Sequence, residues 1–195
     1  MHLGIDLDNT LVLYDRAFHE AAVERRLVPR SMETSKRAIR DHVRTLVDGE
    51  ALWTRLQGEV YANRMNRAEL APGAERLLAE CARRGVRVSI VSHKTQFPAD
   101  GPRVDLRKAA MAWMRRTPCL TALPVFFEPT RDAKVARITE LRCTHFVDDL
   151  VEVFEEPSFP AHVVRILCGA AASLPDVVRL ADLDAVHDRL FGAPA

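Results

Sequence analysis

Near the start of the chain, Gly4-Ile5-Asp6-Leu7-Asp8-Asn9-Thr10-Leu11 alternates two carboxylates with apolar residues at the point where a strand ends. Successive side chains of an extended chain point to opposite faces, so Asp6 and Asp8 begin on one side while Ile5, Leu7 and Leu11 turn to a core. Two carboxylates held that close repel unless a cation lies between them or one keeps a proton. The pattern therefore allows a metal site, an acid–base pair, or both. Whatever fold the chain adopts has to bring other polar groups to this strand end.

The next strand-like run is distant. From about Tyr14 the apolar period becomes helical: Phe18, Ala21, Ala22 and Leu27, then Ile39, Val43, Leu46 and Val47, then Trp53, Leu56, Val60 and Tyr61. Ser31 or Thr34 is the expected cap of the second of these helices. Residues 13–71 therefore read as an inserted helical cap. Ala71-Pro72-Gly73 marks the return to the core, followed by a helix over 74–83 and Gly85 at its C-terminal end. The expected domains are a core of 1–12 and 72–195 and a cap of 13–71.

Four further short apolar runs follow: 86–91, 124–127, 144–147 and 163–167. They are β-branched or aromatic and unbroken, as strands buried on both faces should be. Helical stretches separate them, and a helix from Leu180 to Phe191 closes the pattern. Strand and helix in alternation predict an α/β fold, a Rossmann-like parallel sheet of five strands with helices on both faces. Such sheets bind ligands beyond the carboxyl ends of their strands. Asp6, Asp8, Ser92, Asp148 and Asp149 all fall there, although they come from separate parts of the sequence.

These residues, taken in order, resemble the motifs of the haloacid dehalogenase superfamily, and of its Mg²⁺-dependent phosphatases in particular. Asp6-Leu7-Asp8-Asn9-Thr10 matches D-x-D-x-T. Ser92 matches the Ser or Thr after the second core strand, Lys134 the basic residue at a helix start, and Asp148-Asp149 the paired acids after the fourth strand. Arg131 lies one turn before Lys134, but a compact ammonium suits a point-charge contact with phosphate better. The resemblance implies a phosphomonoester hydrolase that forms an aspartyl-phosphate on Asp6, with Asp8 as general acid and base. It implies Mg²⁺ held by Asp6, the backbone carbonyl of Asp8, and Asp148, with Asp149 acting through water or orienting Lys134. Thr10, Ser92 and Lys134 would hold the phosphoryl oxygens. His93 and Lys94 follow Ser92 and either contact the substrate or belong to a solvated loop. Asp8 argues against dehalogenation, because a departing halide needs no proton.

The implied substrate is a small phosphoester such as a sugar phosphate or nucleotide. Phosphotransfer to another acceptor, as in a mutase, and a non-catalytic phosphate-binding module of the same fold are the alternatives. A net charge of +1 argues against a surface that coats nucleic acid. No apolar run is long enough to span a membrane, and no basic segment precedes an apolar run near the N-terminus. Cys81, Cys119, Cys143 and Cys168 are widely spaced and form no Cys-x-x-Cys pair. Free thiols in a reducing cytoplasm are the expectation.

Overall fold

The computed structural model describes residues 1–169 and 174–192; positions 170–173 and 193–195 of the expected core lie outside the described residues. The elements in order are β1 (His2–Ile5), β2 (Val12–Leu13), α1 (Asp15–Glu24), α2 (Lys36–Val43), α3 (Gly49–Asn63), β3 (Glu69–Leu70), α4 (Ala74–Arg83), β4 (Arg87–His93), α5 (Leu106–Met114), β5 (Val125–Glu128), α6 (Arg131–Glu140), β6 (His145–Asp148), α7 (Val151–Phe154), β7 (Val164–Cys168), β8 (Val177–Leu180) and α8 (Leu183–Phe191). They divide into two compact units. One holds residues 1–12, 70–94 and 117–195, the other residues 13–69 and 95–116.

The first unit is built on a six-stranded sheet in the order β5-β4-β1-β6-β7-β8. Every ladder in it is parallel, and helices flank it, so the fold is α/β and Rossmann-like. Five of the strands match the sequence expectation. The sixth, β8, was not expected. Its Val-Val-Arg-Leu run is short and only partly buried, as suits an edge strand, and periodicity alone does not separate four such residues from the approach to α8. β4 also continues two residues beyond Val91, through Ser92 and His93.

The sheet core is apolar. Val91, Val135, Ile138, Cys143, Phe146, Val153, Phe154, Phe159, Val163 and Leu167 form one buried cluster that joins the strands to α6 and α7. Gly4 is required at the centre of β1. A Cβ there would stand 2.5 Å from the ring of Phe146 and 3.0 Å from the Cys143 Sγ. Gly4→Ala is therefore expected to destabilise the chain by about 1–3 kcal/mol through overpacking. Urea unfolding measures this directly, and an unchanged midpoint would mean that β1 and β6 can separate at no cost. Gly85 follows α4 with φ +64°, the left-handed position that a helix-ending glycine takes at least cost.

His2 ties the start of β1 to the strands around it. Its Nδ1 lies 2.8 Å from the Leu141 carbonyl oxygen and its Nε2 2.9 Å from the Ser89 hydroxyl. A carbonyl can only accept, so Nδ1 carries the proton and Nε2 accepts from Ser89.

The second unit is helical, and an aromatic cluster organises it. Phe18 stacks on Trp53 at 5.0 Å between ring centroids, and Tyr61 meets both Phe18 and Tyr14 edge to face. Residues 95–116 belong to this unit as well. The Trp113 indole donates to the Ala68 carbonyl at 3.2 Å, and α3 approaches the 98–101 loop at Gly58, where a Cβ would sit 2.0 Å from the Asp100 carbonyl oxygen. The cap of α2 is Ser35, whose hydroxyl accepts from the Ala38 N–H, rather than Ser31 or Thr34. Among the described residues, no helix is long and apolar enough to cross a membrane.

Candidate functional site

The parallel register brings the site together. Ile5 is level with Val147 on β6 and with Ile90 on β4. The residues just beyond them are Asp6, Asp148 and, one step further along β4, Ser92. The Asp6 N–H continues the ladder by donating to the Val147 carbonyl at 2.9 Å, which sets Asp6 beside Asp148.

After Asp6 the chain folds back on itself. The N–H groups of Leu11 and Val12 both donate to the Leu7 carbonyl, and the Asn9 N–H donates to the Val12 carbonyl at 2.7 Å. Asn9 takes the left-handed conformation, φ +65°, which Asn tolerates better than most residues. Leu7 and Leu11 are fully buried and anchor the turn. This geometry separates the two carboxylates that the sequence pairs. Asp6 is directed to Lys134 and Asp8 to Lys94.

Lys134 lies in the first turn of α6, whose N-terminus Thr130 caps through the Ala133 N–H. It is 1% exposed, and its Nζ donates to Asp6 Oδ1 and to Asp148 Oδ2, each at 2.6 Å. Asp148 Oδ1 accepts from the Leu150 N–H at 3.0 Å, which fixes the carboxylate plane. Arg131, the other basic residue near the start of α6, turns outward to Glu156. Lys134 is thus the cation placed among the acids.

One ligand atom each from Asp6, Asp148 and Asp149 can be chosen so that all lie within 4.8 Å of one another. Three carboxylates against one ammonium leave an excess of two negative charges. Burial, foremost, pushes the Asp6 carboxyl well above the usual carboxylate range; Lys134 pulls it down, and Asp148, Asp149 and Asp8 push it up again. Burial disfavours the Lys134 ammonium, but Asp148 and Asp6 outweigh it and the net shift is upward. The ammonium by itself does not balance the cluster. A hard divalent cation with an all-oxygen donor set suits that deficit, and these residues fit Mg²⁺.

Two hydroxyls complete the site. Thr10 Oγ1 and Ser92 Oγ are buried and have no hydrogen-bond partner among the described residues. A buried hydroxyl without a partner costs about 1–3 kcal/mol. Near the carboxyl ends of parallel strands, such groups are suited to receive a ligand's oxygens.

His93, a candidate phosphate contact, is exposed, and its Nε2 is bonded to the Pro129 carbonyl at 3.1 Å. The residue that reaches the site is Lys94. It is 4% exposed, and its Nζ donates to Asp8 Oδ2 at 2.6 Å. A signal for it is present in the sequence. If the strand is carried past Val91, its period of two puts Lys94 on the same side as Ser92.

No protein-family model matches the chain, and no curated protein matches its sequence. Solved structures do match in fold, and hydrolases of the haloacid dehalogenase superfamily are among them. A superfamily hydrolase from Ehrlichia chaffeensis aligns with a TM-score of 0.61 at 14% identity, over 97% of this chain and 95% of its own. The protein tyrosine kinase A of Mycobacterium tuberculosis aligns at 0.64 and 18%, over 97% of each chain. The D,D-heptose 1,7-bisphosphate phosphatase of Burkholderia thailandensis aligns at 0.55 and 12%, over 98% and 99%.

Proposed function

We propose that the chain is a member of the haloacid dehalogenase superfamily, a Mg²⁺-dependent phosphomonoester hydrolase that works through an aspartyl-phosphate on Asp6. Its substrate is a small phosphorylated metabolite, a sugar phosphate or nucleotide, and the inserted segment 13–71 serves as its cap. The observation that carries this reading is Lys134, buried and shared between Asp6 and Asp148 at 2.6 Å each. The two buried, unpartnered hydroxyls of Thr10 and Ser92 support it.

Asp6 is the nucleophile. Its carboxylate oxygen bonds to phosphorus as the ester P–O bond breaks, and the Asp8 carboxyl gives its proton to the departing oxygen. Water then attacks the phosphorus of the aspartyl-phosphate. Asp8 takes a proton from that water, and the Asp6 carboxylate is released with inorganic phosphate. Thr10, Ser92 and Lys134 hold the phosphoryl oxygens where charge accumulates. Asp6, Asp148, Asp149 and the Asp8 carbonyl would hold Mg²⁺, whose contribution is to neutralise the repulsion between a carboxylate and a phosphate.

The test is a panel of phosphometabolites and a generic aryl phosphate, assayed with Mg²⁺ and with chelator. Metal-dependent release of phosphate to water is the expected result. The absence of turnover on every phosphoester would leave a non-catalytic phosphate-binding module. The likeness to a protein named as a tyrosine kinase favours phosphotransfer as the second reading. Transfer of phosphate to an added acceptor at the expense of free phosphate would select it.

A further inference from the structure

The mechanism leaves one buried cation without a task. Lys94 follows Ser92 by two residues at the end of β4, where its N–H still continues the ladder by donating to the Glu128 carbonyl at 3.0 Å. A lysine is seldom buried without cause, since its ammonium loses hydration and its stem loses rotamer freedom. Here the stem is packed away, and the Nζ makes a 2.6 Å charge-assisted bond to Asp8 Oδ2. Asp8 sits on the tight turn 7–12, and its side chain is 18% exposed. An aspartate carboxylate on such a turn has two torsions to fix. The bond from Lys94 to Oδ2 restrains both.

We propose that Lys94 is a positioning residue for the hydrolytic half of the reaction. It holds the Asp8 carboxylate by Oδ2 and so orients the base toward the water that attacks the aspartyl-phosphate. This inference rests on the proposed phosphohydrolase reading. In the step it serves, the water oxygen bonds to phosphorus, the phosphorus–Asp6 bond breaks with its electron pair going to the Asp6 carboxylate, and the water proton goes to the Asp8 carboxylate. Lys94 touches neither water nor phosphorus. Its effect is on the aim of the base, and misplacing a catalytic group by about 1 Å costs about a hundredfold in rate.

The test separates the two half-reactions. With p-nitrophenyl phosphate and Mg²⁺, the leaving group departs without needing a proton, so the first half does not depend on Asp8. Lys94→Met, which keeps the length of the stem, is expected to release a burst of nitrophenol close to one per chain. Steady turnover then falls by about a hundredfold, and the phosphoenzyme accumulates, as seen by intact-mass spectrometry. Lys94→Gln should behave alike, and it guards against a packing fault peculiar to Met. Asp8→Asn should give the same burst, and the double variant should be no slower than Asp8→Asn alone. Burst amplitude and turnover falling together, or unchanged turnover, would overturn the role of Lys94. Absence of turnover and of phosphoenzyme in the unaltered chain would instead overturn the phosphohydrolase reading beneath it.

Discussion

Asp6→Asn is expected to abolish phosphate release, by at least about ten-thousandfold in kcat, with no phosphoenzyme formed. The amide cannot act as the nucleophile. The folded state, however, should survive. Asp6 is one of three crowded carboxylates that share a single ammonium, and Lys134 keeps Asp148 as its partner. Removing one buried negative charge relieves repulsion, so the thermal midpoint should hold or rise. A variant that is inactive because it is unfolded would contradict this, and so would one that still turns over. Calorimetry beside a Mg²⁺-dependent phosphate assay distinguishes the outcomes.

Lys134→Met should cost both activity and stability. Its removal leaves Asp6 and Asp148 buried side by side, 5% and 0% exposed, without the ammonium between them. Breaking a buried ion pair by removing one partner costs about 3–5 kcal/mol. That penalty is expected in full with chelator present. Mg²⁺ should recover part of it, because a ligand that binds only the folded chain stabilises it by mass action, and the variant has more uncompensated charge for the ion to offset. The measurable signature is a larger Mg²⁺-induced rise in Tm for Lys134→Met than for the unaltered chain. An equal rise would mean that the ion does not bind among these carboxylates. Phosphate turnover should fall by at least about a hundredfold, since a buried cation aimed at developing charge contributes about that much.

Lys94 and Lys134 perform related physical tasks on the two aspartates that follow β1. Each is a buried ammonium at 2.6 Å from a carboxylate oxygen. They differ in their surroundings. Lys134 bridges two acids at the metal-fitting cluster, and Lys94 engages the acid that stands apart from it. The turn over 7–12, closed by its own backbone and anchored by Leu7 and Leu11, creates that separation.

The alternation around Asp6 and Asp8, and the apolar runs that end at Ser92 and Asp148, were legible as local patterns. Strand ends of a parallel sheet follow from such runs, because hydrophobic periodicity and connection length are properties of neighbouring residues. The edge strand β8 was not legible, since four residues, three half-buried and one exposed, carry too weak a period. Nor was the grouping of 95–116 with 13–69, which depends on contacts such as Trp113 with Ala68 between residues far apart in sequence.

The chain's sequence by itself determined which residue types stand at the strand ends, and with them the α/β class and the acidic character of the site. Tertiary structure alone decided the pairing: that Lys134 and not Arg131 faces Asp6 and Asp148, that His93 turns to the Pro129 carbonyl, and that Lys94 reaches Asp8. Pairing across 86 and 128 residues of chain depends on register and on where a buried ammonium finds its carboxylate. No local pattern carries that information.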